Sequence, residues 1–120
     1  MKAHFPKQQK LKSRKDIQSL FKEGGSITQY PIKMLWLPCR QKQTKAGFAV
    51  AKKNFKSAVT RNKIKRLIRE AYRLEKKELG PQEKKRYILL FLYIGKDVAD
   101  YKTINKAVQG ALLKLPVIDV

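Results

Sequence analysis

Residues 87–94, YILLFLYI, are an unbroken apolar run of eight in a chain whose charged residues make up 32% of the total. The run is far short of the roughly 18 apolar residues a membrane span needs. Its length and its closing Gly95 fit a central strand buried within a sheet.

The other periodic segments supply the rest of a small domain. Ile17, Leu20 and Phe21 recur at helical spacing, with Ser13 as N-cap and Gly24 at the end, so a short helix is expected over about 14–23. YPIKMLWLP reads as a strand bracketed by Pro31 and Pro38, with Ile32, Met34 and Trp36 on one side and Lys33, Leu35 and Leu37 on the other. CRQKQTK resembles a polar hairpin connection. AGFAVAKK then forms a second strand, with Phe48 and Val50 on one face and Gly47, Ala49, Ala51 and Lys53 on a smooth opposite face. The longest helix is expected over 57–79, opened by Ser57 or Thr60 and stopped by Gly80-Pro81. A last amphipathic helix carries the stripe Ile104, Ala107, Val108, Ala111, Leu112 and Leu115. The order is helix, strands, helix, strand, helix, which implies an α/β sandwich with one sheet. With 120 residues this is one domain, residues 13–120, preceded by a basic tail over 1–12 that orders on binding.

Charge then narrows the function. Lys and Arg number 29 against 9 Asp and Glu, a formal +20. Self-repulsion of that size opposes compaction unless a partner supplies counter-charge. No acid falls between Gly24 and Arg69, a window with twelve Lys or Arg, so one face should be positive. Nucleic acid is the usual partner of so basic a domain. An anionic membrane is the rival, but no helix carries the large apolar, Trp- or Phe-bearing face that would insert. MKAHFPKQQK has no apolar h-region and Cys39 is the only cysteine, so a reducing cytoplasm is the expected location.

Chemistry for catalysis by the protein alone is missing from the sequence. His4 is the only histidine, Cys39 is a lone thiol, and no carboxylate pair falls in the expected strands to clamp metal ions. EGGS lacks the lysine and spacing of a phosphate-cradling loop. The chain reads as a binder.

On the long helix, Ile64, Leu67, Ile68, Ala71, Tyr72 and Leu74 gather on one arc. Asn62, Lys65, Arg66, Arg69, Arg73, Lys76 and Lys77 fall on the opposite arc, with Glu70 at its margin. A solvated face would account for the charge, but Lys65, Arg69 and Arg73 stack like charges at i, i+4, which repel. Within residues 61–73 arginine outnumbers lysine, and its planar fork suits phosphate. Lys52, Lys53 and Lys56 lie just before the helix N-terminus, itself favourable to anions. Strands rather than a second short helix precede it, which fits RNA better than helix-turn-helix reading of DNA.

The segment AGFAVAKKNFKSAVTRNKIKRLIREAYR resembles the core signature of the bacterial ribonuclease P protein component. In that pattern a strand ends in Lys-Lys and a helix carries Arg-Asn-Arg-x-Lys-Arg-x-x-Arg-Glu. Arg61, Asn62, Lys65, Arg66, Arg69 and Glu70 match, while Lys63 stands in place of the second arginine. The resemblance implies an αβββαβα sandwich of the ribosomal-protein-S5-domain-2-like type with a left-handed βαβ crossover. It also implies a short extra strand near Thr28–Tyr30. It further implies a protein subunit that joins a catalytic RNA to cleave the 5′ leader from precursor tRNA. The RNA would supply the active site and hold most of the Mg2+, and the protein would be a monomer in a 1:1 ribonucleoprotein. Carried over residue by residue, Arg61, Asn62, Lys63, Lys65, Arg66, Arg69 and Arg73, with Lys52 and Lys53 beside them, would dock on the catalytic RNA. Ile17, Phe21, Ala49, Ala51 and Lys53 would line the leader cleft. The family's strand aromatic falls at Trp36 or Leu35, with Trp36 the favoured position. A general structural RNA binder such as a ribosomal protein is the alternative reading.

Overall fold

The computed structural model describes residue 11 and residues 13–39, 44–75 and 86–115. Its elements are α1 (Arg14–Glu23), β1 (Gly25–Gln29), β2 (Ile32–Cys39), β3 (Lys45–Val50), α2 (Ala58–Glu75), β4 (Arg86–Tyr93) and α3 (Tyr101–Leu113). They form an α+β sandwich around a four-stranded sheet of order β1-β2-β4-β3. β1 and β4 run antiparallel to β2, and β3 runs parallel to β4.

The apolar run does become a central strand. Met34 and Phe48 flank Phe91 from its two neighbours, and Trp36 and Ala46 flank Leu89. Residues alternate between two cores because a strand projects successive side chains to opposite faces. On one face, Leu89, Phe91 and Tyr93 pack with Ile32, Met34, Ala46, Ile64, Ile68, Tyr72, Ile104 and Val108, under α2 and α3. On the other, Ile88 and Leu90 pack with Leu35 and with Leu20 of α1, joined by Leu11, Leu37, Ala49 and Leu92. Phe48, Tyr72 and Phe91 knit the larger core, with ring centroids 5.4–6.1 Å apart.

The helices begin where side chains can cap them. Asp16 N–H donates to Ser13 Oγ (3.2 Å), Thr60 N–H to Ser57 Oγ (3.3 Å) and Thr103 N–H to Asp100 Oδ1 (2.9 Å). Each bond satisfies a donor that the first turn leaves free. Ser57 therefore opens α2. Its expected end near residue 79 and the cations Lys76 and Lys77 lie outside the described residues, as does most of the segment 1–12.

The sequence reading needs four corrections here. β2 and β3 are not a hairpin, because β4 inserts between them. The extra strand is Gly25–Gln29, earlier than Thr28–Tyr30, and turns into β2 at Tyr30–Pro31. Pro38 lies inside β2 rather than at its boundary; β1 pairs only as far as Trp36, so one side of β2 has no ladder there for a missing N–H to interrupt. Leu74 is 43% exposed rather than core, since it sits at the flank of the α2 stripe.

The β3–α2–β4 crossover has the uncommon hand. Ala46 turns its side chain into the α2 core, and its carbonyl accepts from Leu11 N–H (2.9 Å) on the side away from β4. With β3 running upward and an L-residue's side chain toward the viewer, that carbonyl points right. β4 therefore lies to the left of β3, and the connection is left-handed, against the usual preference.

Ile64 and Ile68 are fully buried and fasten α2 to the sheet. Ile68→Ala is expected to cost about 2–5 kcal/mol of folding stability, measured by urea denaturation; a cost below that of an ordinary surface substitution would mean that α2 is not held through this side chain.

Candidate nucleic-acid interface

The α2 register that buries Ile64, Ile68, Ala71 and Tyr72 turns the basic residues outward. Asn62, Lys63 and Arg66 are exposed, and Lys65, Arg69 and Arg73 are half-buried along its flanks. Lys52, Lys53 and Lys56 are exposed in the loop between β3 and α2. The loop is anchored from inside by Phe55, buried against Tyr93 with centroids 5.8 Å apart.

The cations divide into two sets by what they touch. Arg61 Nη1 donates to the carbonyls of Phe55 (2.8 Å) and Lys56 (2.9 Å). Arg69 lies over the Phe48 ring, its guanidinium carbon 5.7 Å from the centroid, a cation–π contact that fixes its plane. Phe48 itself stacks on Phe91, with centroids 5.7 Å apart and planes at 13°. Arg73 forms a bidentate pair with Glu70: Nη2 donates at 2.6 Å and Nε at 3.2 Å. Lys52, Lys53, Asn62, Lys63, Lys65 and Arg66 have no hydrogen-bond or ion-pair partner among the described residues. They offer open donors on the outer face of α2 and on the loop before it, suited to phosphate oxygens.

Sequence reasoning missed the partners of the first set. An aromatic under an arginine or a carbonyl under a guanidinium depends on how β3 and the loop pack against α2, which spacing along one helix does not encode. The Glu70–Arg73 pair was the exception in principle, since a Glu three residues before an Arg is a recognised helical neighbour.

The leader-side residues separate. Ile17 and Phe21 share a flank of α1, with Phe21 64% exposed. Ala49 faces the same side of the sheet as Leu35 and Leu20. Ala51 and Lys53 are exposed beyond the end of β3. Trp36 does not join them and is the main correction. It lies on the α2/α3 face, edge-on to Tyr87 with centroids 6.4 Å apart, and its indole fills the space where a Gly25 Cβ would sit. The β2 residue under α1 is Leu35, because odd positions of this strand face that way.

No group of three or more His, Cys, Asp or Glu comes together among the described residues. No helix among them is long and apolar enough to cross a membrane.

A small sandwich with a strongly cationic helix face belongs to the class of basic α+β domains that bind polyanions. Residues 5–116 match the family model for Ribonuclease P, and the chain belongs to the ribonuclease P protein family. The ribonuclease P protein component of Porphyromonas gingivalis is 34% identical over 115 residues, covering 91% of this chain and 84% of the relative. That of Photorhabdus laumondii is 34% identical over 115 residues, covering 96% and 90%. Among solved structures, the RNase P protein from Thermotoga maritima superposes with a TM-score of 0.76 at 24% identity, over 90% of this chain and 98% of that one, a likeness of fold. The Staphylococcus aureus RNase P protein gives 0.65 at 28% identity, over 87% and 92%.

The hydrogen bonds from Arg73 hold the Glu70 carboxyl below the usual carboxylate range, against a smaller opposing effect of burial. A depressed acid stabilises the fold above its unfolded value and loses that contribution as pH falls through the depressed one. Glu70→Gln should therefore narrow the gap in urea midpoint between neutral and strongly acidic pH by a small amount, since the pair is partly solvated; an identical gap in both proteins would show that the pair contributes nothing to stability.

Proposed function

We propose that this chain is the protein subunit of a ribonuclease P ribonucleoprotein, binding its catalytic RNA and the 5′ leader of precursor tRNA during endonucleolytic removal of that leader. The observation that carries the reading is the open cationic arc of α2, within a family match that spans nearly the whole chain. Asn62, Lys63, Lys65 and Arg66, with Lys52 and Lys53, dock on the RNA, and Arg69 presents the outer edge of its guanidinium from the Phe48 ring. Lys63 keeps the charge of the usual arginine but makes a single-point contact in place of a fork. Ile17, Phe21, Leu35 and Ala49 form the leader side, where an exposed ring offers a base its π-face. The RNA supplies the active site and holds Mg2+; the protein acts by positioning and by neutralising phosphate charge, as one copy per RNA in the cytoplasm.

Reconstitution tests the reading directly. Adding the chain to a bacterial ribonuclease P RNA at low magnesium should restore precursor-tRNA cleavage, whereas no rescue, or preferential capture of ribosomal RNA by the purified chain, would reject it. Arg66→Ala with Arg69→Ala should lower the slope of log affinity against log salt by roughly 1 to 2 units; an unchanged slope means that this face is only solvated. Phe21→Ala is expected to weaken precursor binding relative to mature tRNA while leaving stability within about 0.5 kcal/mol. Trp36→Leu should do the reverse, losing stability but no leader affinity, and the opposite pattern would return the leader contact to Trp36.

A further inference from the structure

Arg61 opens the basic motif of α2 and is the residue of that motif most engaged with the protein's own backbone. One nitrogen, Nη1, donates to two successive carbonyls, Phe55 at 2.8 Å and Lys56 at 2.9 Å. These close the loop that carries Lys52, Lys53 and Lys56 from β3 into α2. Otherwise the loop is tied by Asn54 and Phe55 N–H groups to Ala51 O at 3.2 and 3.3 Å, both at the long end of the range, and by the buried Phe55 ring. Arg61 is itself held by its N–H bond to Ser57 O (3.1 Å) within the first turn. Its Nη1 thus faces protein acceptors, while the three lysines it braces are exposed, with no side-chain partner among the described residues.

We infer that Arg61 is a positioning residue, which clamps the Phe55–Lys56 carbonyls so that the loop lysines meet the RNA as a fixed group. This rests on the RNA-docking reading and changes the role of one residue in it. Charge at position 61 then matters little, and the reach and geometry of its donor matter most. A lysine keeps the charge but presents a compact ammonium, which does not reproduce the planar fork. Citrulline keeps the length and a terminal NH2 donor but carries no charge.

Four proteins decide it: Arg61→Lys, Arg61 replaced by citrulline, and Lys52→Ala/Lys53→Ala/Lys56→Ala with and without Arg61→Lys. In the free full-length protein, Arg61→Lys should speed amide hydrogen exchange at Asn54 and Phe55 by roughly tenfold, the scale of one lost charged hydrogen bond, with β4 amides unchanged as the control for global unfolding. Binding to a bacterial ribonuclease P RNA should weaken with Arg61→Lys, recover with citrulline, and show no further loss from Arg61→Lys once the three lysines are gone. Retained affinity in Arg61→Lys with loss in citrulline, or additive losses in the cycle, would make Arg61 a direct phosphate contact and overturn the inference. Unchanged loop exchange would overturn it as well. Preference of the wild-type chain for ribosomal RNA would reject the docking reading instead, and the same cycle on that RNA would still decide the clamp.

Discussion

Burial of β4 on both faces is the constraint on which the other elements depend. Its residues 87–91 are all buried, so neither face can be left to solvent. α2 and α3 cover one side, and α1 with Leu11 covers the other. β4 must also have neighbours on both edges, and β2 and β3 supply them in opposite directions. A parallel neighbour requires a long return connection. In this chain that connection is α2, so the helix that carries the basic motif is also the helix that lets the sheet close. The basic surface is the solvent side of a structural necessity.

The same helix reconciles a large positive charge with a stable core. No charged residue is buried among the described residues. Three arginines near the core margin are instead occupied by neighbours: Arg61 by carbonyls, Arg69 by an aromatic ring, Arg73 by a carboxylate. Those farther out carry the unbalanced charge. Repulsion is thus greatest where a polyanion can relieve it, and weakest where packing would suffer.

Much of this was legible in the residues. Cap residues and 3.6-residue periodicity placed α1, α3 and the start of α2 closely, and alternation assigned the faces of β2, because each signal is local. The order of strands was not local. A polar segment after β2 reads as a hairpin connection, and only the insertion of a distant strand prevents the pairing. Trp36 was misplaced for a related reason: a one-residue choice on a strand exchanges its two faces, and the aromatic side chain was favoured over Leu35 beside it. The division of α2's arginines also waited for the fold, since Phe48 and the Phe55–Lys56 carbonyls come from other segments.

Leu11 has a consequence beyond packing. A four-stranded open sheet exposes two rows of unpaired backbone groups, which invite other chains to add as further strands. At β3, the Leu11 N–H takes one carbonyl of that row and its side chain lies against Gly47. At the far side, β1 is only five residues long and shows Ser26 and Thr28 to solvent. One border is partly stoppered and the other kept short and polar, in a molecule whose like-charged copies already repel. Neither border thus offers a long, open row of backbone groups for a second copy to pair with.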